Sequence, residues 1–262
     1  SVLRGACGVI EKVAHALRLR AFSAILPTVE LSISASRLRT TLTALVIVLV
    51  ALSFAGMLSQ MYLHMRFGGL VRLFDVNQEN SLPTWYSAVA LAACAALLVA
   101  IAATLRARKQ TRDLFAWATL AVIFALLSAD EIAGIHEGAG HELKKLIHLG
   151  GWFRFAGVVP SAALATLVGA TMLPFLSRLA ARRRNQFLVA GFIFVGGAIG
   201  MEMIGGKLFS AAGDKITLAY AVCYHIEEFL EMFGIVLFSA ALIEQLAELL
   251  GPEGLRLRFT SS

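Results

Sequence analysis

Six long apolar runs, separated by short stretches of Gly, Pro and charged residues, dominate the hydrophobic and polar pattern of this chain. They occupy 41–64, 84–104, 114–141, 156–176, 187–209 and 218–243. A helix rises about 1.5 Å per residue, so roughly 20 residues cross a hydrocarbon core of about 30 Å. Every run meets that length. None alternates polar and apolar residues as a barrel strand would, and each is about twice as long as such a strand, so helices are the expected element. The pattern predicts an all-α polytopic membrane protein with six transmembrane helices over 41–246 and a polar tail over 247–262. In 1–40 apolar residues recur at near-helical intervals with basic residues between them. That suits an amphipathic helix lying on a membrane surface better than a cleavable signal peptide.

Composition excludes a soluble domain, since 58% of residues are hydrophobic, 15% are charged and mean hydropathy is +0.77. Charge adds orientation. Of the 23 Lys and Arg residues, sixteen fall in 1–40, 105–113, 177–185 and the C-terminal tail, and seven fall in the alternate loops. Positive charge concentrates on the cytoplasmic side, which puts both termini there. The net charge of +6 is then a matter of topology and of attraction to anionic membrane lipid, and nucleic acid is not an expected partner. Cys7, Cys94 and Cys223 have no paired spacing and say nothing about redox compartment.

The informative residues are the acids and histidines inside the apolar runs. Span three ends with Asp130, Glu131, His136, Glu137 and His141; span five carries Glu202; span six carries His225, Glu227, Glu228 and Glu231. A charged carboxylate near a bilayer centre costs about 2.5–3.5 kcal/mol even on the lenient insertion scale, so something must neutralise them. Depth relates them. Asp130, Glu202 and Glu228 each lie about 23 Å from the cytoplasmic end of their helix, which gathers three independent helices' acids into one layer in the outer half of the core.

At 100° per residue, His225 and Glu228 share a face of span six, with Tyr224 and Glu231 flanking them and Glu227 turned away. On span three, Asp130, Glu137 and His141 form a stripe with Glu131 and His136 on its shoulders. Gly134, Gly138 and Gly140 loosen that helix, so His136 can swing in at a bulge or broken turn. No Lys or Arg shares this depth on spans three, five or six. Mixed carboxylate and imidazole donors on facing helices are the donor set of two divalent first-row cations. Sparse sulfur and too few histidines argue against thiolate or three-His zinc sites.

The expected ligands are Asp130, His136, Glu137, Glu202, His225 and Glu228, with iron the first choice of metal and manganese or zinc the alternatives. Glu131, Glu231 and Tyr224 are the expected acid/base or supporting groups, and Glu79 and His141 are candidates to cap the site from outside. The leading expectation is an oxidoreductase acting on a lipid-soluble substrate. A proton- or cation-coupled transporter using the same acids is the alternative, and an accessory subunit bound to a partner membrane protein is a third.

Between spans one and two, "ENSLPTWYS" combines Glu79 and Asn80 with a proline suited to a first helical turn and two interfacial aromatics. Together with "SADEIAGIHE" in span three, it resembles a widespread family of uncharacterised bacterial multi-pass membrane proteins bearing E-N-x-x-P-T-W-Y-S and D-E-x-x-x-x-H-E signatures. The resemblance runs from Phe74 to about Gly234. It implies a bacterial inner-membrane location and marks Glu79, Asp130, Glu131, His136 and Glu137 as signature residues, with no established activity. The seven-span zinc hydrolases of the alkaline ceramidase and adiponectin-receptor group share only buried acids and histidines with this chain, which lacks their His-x-x-x-His in the last span.

Overall fold

A computed structural model describes residues 34–65, 69–146 and 150–251. The surface helix expected in 1–40 lies outside these residues up to 33, and the tail lies outside them beyond 251. Six helices are long and apolar enough to cross a membrane: Ala35–Leu63, Leu82–Ala107, Leu114–Ala133, Val158–Arg178, Ala181–Ala211 and Leu218–Leu250. These are spans one to six, and no strand occurs among the described residues. Large apolar side chains such as Phe115 and Phe192 stand exposed on the bundle's flanks, as lipid-facing residues do in a chain whose solvent is hydrocarbon.

Several spans outrun their apolar runs at the end rich in Lys and Arg, called here the basic end. Span one begins at Ala35, where Ser34 caps it by accepting a hydrogen bond from the Arg37 N–H. Span six continues to Leu250, past the apolar run that ends at position 243. Helix propensity and long basic side chains that reach toward polar surroundings allow these polar turns to stay helical. At the opposite end Ser81 caps span two, accepting from the Thr84 N–H, and Pro83 sits in the first turn where its missing N–H leaves no unmet bond.

Span six is the most buried helix and packs against spans one, two and five, while spans two and three form the most extensive pair. One apolar cluster joins spans two to six around Leu98, Trp117, Phe175 and Phe238. A second joins spans one and six around Val46, Tyr220 and Met232.

Helix contacts use missing side chains. A Cβ on Gly234 would lie 2.9 Å from the Phe194 backbone nitrogen, and one on Gly197 would lie 2.8 Å from the Glu227 carbonyl oxygen. Those glycines let spans five and six approach backbone to backbone, the usual route to close packing in lipid. On the loops, Arg154 clamps Asp214 through Nε and Nη2 at 2.8 and 2.7 Å, and the guanidinium holds the Asp214 carboxyl below its ordinary range.

Three departures from regular α-helix lie in the half of the bundle away from the basic end. Span three does not run on to position 141: it stops at Ala133, Gly134 adopts a left-handed conformation (φ 57°), and a separate amphipathic helix covers Ile135–Leu146. Only glycine takes that conformation without strain, which is why the break falls there. Span five is wound as a π-helix over Gly196–Met201, immediately before Glu202. Span one ends in a π segment, Ser59–Leu63, closed by His64 in the left-handed region.

Candidate functional site

The break in span three organises its polar residues. Asp130 closes the turn: its backbone carbonyl accepts the Gly134 N–H at 2.7 Å, and its carboxylate accepts the His136 N–H at 2.8 Å. The same carboxylate meets His136 Nδ1 at 2.8 Å. The stripe of Asp130, Glu137 and His141 required an unbroken helix. With the chain reversing handedness at Gly134, Asp130 pairs with His136, and His141 stands exposed on the following helix.

Glu79 reaches this break from the loop before span two. Its Oε1 fills the space a Cβ on Gly134 would need, and its carboxyl neighbours that of Glu137. The loop that delivers Glu79 is fixed by Asp75, which accepts the Asn77 N–H at 3.0 Å, and by Thr84, whose hydroxyl donates to the Gln78 carbonyl at 3.0 Å. Gly140 meets the backbone of Gly157 across the short helix, and that contact seats the Ile135–Leu146 helix against the start of span four.

Spans five and six bring the remaining acids to the same region. Glu202 lies within the electrostatic field of His136 and Glu137. Glu228 feels Glu131, Glu227, Asp75 and Glu137, and Glu231 feels Glu228, Glu227, Glu131 and Glu202. Glu131, Glu202, Glu227, Glu228 and Glu231 are half-buried. Glu227 was expected to face away; it instead neighbours Glu202. Span six is a regular α-helix on which Glu227 and Glu231 lie one turn apart and share a face, and Gly197 of span five meets that face at the Glu227 carbonyl and the Glu231 Cγ.

Among the described residues, no Lys or Arg pairs with these acids, and His136 beside Asp130 is the nearest basic group. Every Lys or Arg ion pair there lies elsewhere, in the loops or at the basic end. The donors are also spread out: among the described residues, no group of three or more His, Cys, Asp or Glu side chains could hold a metal ion.

His225 is committed elsewhere. Its Nδ1–H donates to the Ala221 carbonyl at 2.7 Å, so Nε2 is left to accept from the Ser53 hydroxyl at 3.0 Å. Ser53 in turn accepts the Val76 N–H at 3.0 Å. Phe54 packs edge-on against the ring at 5.1 Å and Tyr224 stacks on it at 4.5 Å. A metal on Nε2 would have to displace Ser53. In this arrangement His225 and Tyr224 tie span six to span one and to the loop carrying Asp75. Ser53→Ala should leave the Val76 N–H and His225 Nε2 unpaired, at about 1–3 kcal/mol for each buried orphan. Thermal unfolding of purified protein in detergent should show the loss, and a Ser53→Ala protein as stable as the parent would mean that the strut carries nothing.

Sequence reasoning had no signal for Ser53, an isolated serine in an apolar run whose partner lies 172 positions away. It also missed the basic end. There Arg183, almost wholly buried, donates from Nη1 to Gln186 and to the Ala241 carbonyl at 2.8 and 2.7 Å, and from Nη2 to Glu248 at 2.9 Å. Arg182 and Gln186 meet Glu244 at 3.0 Å. That lattice closes the basic end between spans five and six.

Fold and site together define a polytopic helical membrane protein with an unpaired carboxylate layer at the end opposite its basic face. The chain belongs to the family described by a domain of unknown function, DUF8692, which matches residues 41–245. No curated protein and no solved structure matches it.

Proposed function

We propose that this chain is a proton-coupled membrane carrier in which the carboxylate layer holds and passes the coupling protons. The observation that carries this reading is the collection of acids from three spans and one loop, each in the field of several others, without a Lys or Arg among them. Acids in hydrocarbon that lack cationic partners are neutralised most simply by protons, and chains of such groups are the usual form of a proton relay. The irregular helices support it. A span broken at Gly134 and a π-wound turn before Glu202 are the kind of discontinuity that transport proteins place beside their ion sites.

With the basic end in the cytoplasm of a bacterial inner membrane, protons would enter at the Glu79–Glu137 pair from the outer face. They would pass Glu131 and Glu202 to Glu227, Glu228 and Glu231 on the central helix. Reconstituted into liposomes, the protein should give transient charge movement on a pH jump, and Glu228→Gln with Glu231→Gln should reduce it at least tenfold. A response unchanged in that double variant, or absent from the parent, would remove the proposal.

A two-metal oxidoreductase is the second reading, with two iron, manganese or zinc ions and a lipid-soluble substrate. It draws on the mixed donors Asp130, His136, Glu131 and Glu137 at one helix break. It requires Asp130, Glu137, Glu202 and Glu228 to close on a cation from spread positions. Metal analysis decides it: one or more equivalents of transition metal retained after purification, and lost in Glu228→Gln, would replace the carrier reading.

A further inference from the structure

We infer that the basic end carries a binding site for the phosphate headgroup of an anionic phospholipid, independent of the carboxylate layer. A cavity of about 500 Å³ opens there between the ends of spans two, three, four and six. Its wall is apolar where it meets the bundle, formed by Leu105, Leu179 and Trp117. Trp117 is fixed, buried edge-on against Phe175 and Phe187 at 5.0 and 5.9 Å between ring centres. Lys109 and Arg112 line it on the loop side, and the Gln245 amide faces them from span six.

Among the described residues, the two cations at this cavity have no carboxylate partner. Asp113 also lines it, but its carboxylate is taken by Arg178, whose Nε donates to it at 2.8 Å. Lys109 and Arg112 are exposed and, among the described residues, neither has a carboxylate partner. The loop presenting them is held in shape. Lys109 adopts a left-handed conformation (φ 58°), its N–H donates to the Arg106 carbonyl at 3.0 Å, and the Gln110 N–H donates to the Leu105 carbonyl at 2.9 Å. A non-glycine residue in that region costs about 1–2 kcal/mol, so the loop geometry is imposed by its surroundings.

Two exposed cations above an apolar wall, at the ends of the spans, match an amphiphile with a phosphate at one end and ester and acyl groups at the other. Basic pockets between helix ends recognise anionic headgroups in this way. Phosphate would sit between Lys109 and Arg112 with Gln245 donating to its oxygens. The glycerol region would lie on Leu105, Trp117 and Leu179. A zwitterionic headgroup brings its own cation and gains less there.

The test is native mass spectrometry of the full chain released from detergent with phosphatidylglycerol or phosphatidylcholine present. One phosphatidylglycerol should be retained preferentially. The variant carrying Lys109→Gln and Arg112→Gln should lose that retention by roughly tenfold or more, from about 1 kcal/mol for each cation at an anionic surface. The variant carrying Arg37→Gln and Arg39→Gln removes two exposed cations elsewhere, at the start of span one, and should keep it. Equal loss in both variants would show only a general polybasic attraction and overturn the site. Inorganic phosphate supplies the other arm: displacement of the lipid by millimolar phosphate, with no preference between the two lipids, would assign the cavity to free phosphate instead.

Discussion

Arg183→Ala is expected to be the most damaging single substitution at the basic end, lowering stability by about 3 kcal/mol. Removing one partner of a buried ion pair costs roughly 3–5 kcal/mol because the other charge is left behind. Here the lower end of that range applies, since Arg182 and Gln186 stay on Glu244. Glu248→Gln touches the same lattice from a side chain that is 60% exposed, and its effect should stay below about 1 kcal/mol. Denaturant or thermal unfolding in detergent separates the two. Equal, small effects would mean that spans five and six are held by apolar packing alone.

Gly134→Ala should disturb the acidic end where span three breaks. An L side chain in the left-handed region costs about 1–2 kcal/mol, and the new Cβ occupies the position of the Glu79 carboxylate. Glu79 can swing aside, so the fold should survive while the Glu79–Glu137 contact is lost and proton entry is slowed. Gly138→Ala, four residues on, meets nothing within 4 Å and has ordinary helical geometry. It should be neutral or stabilising by about 0.5–1 kcal/mol. If both variants move protons as the parent does, the helix break has no part in the activity.

Most of the fold was legible because membrane solvation writes itself into composition. A helix that must satisfy every backbone group internally and present apolar atoms to lipid needs a long apolar run, and six such runs gave six spans. Their ends were less legible at the basic face, where Arg182, Arg183 and Glu244 look like loop residues in a hydropathy pattern. They are helical because they bond to one another.

The acids were expected in one layer from helix rise alone, and the structure brings Glu131, Glu202, Glu228 and Glu231 into one another's neighbourhood. Their angular arrangement was not legible, because regular 100° steps fail at the left-handed Gly134 and at the π-wound Gly196–Met201. The break at Gly134 undoes the expected Asp130–Glu137–His141 stripe, whereas Glu227 sits on a regular helix one turn from Glu231 and belongs to that residue's face. His225 shows a different limit. A histidine one turn from a glutamate reads as part of an acid site, but a serine on span one and a carbonyl on its own helix take both nitrogens.

Whether protons or metal neutralise the layer can be measured directly. An infrared titration of the protein in bilayers reports the C=O stretch that only a protonated carboxyl possesses. Protons shared among the acids predict that band at neutral pH, diminished when Glu228 and Glu231 are both changed to glutamine. A spectrum with carboxylate bands alone at neutral pH, in the parent as in the double variant, would contradict it.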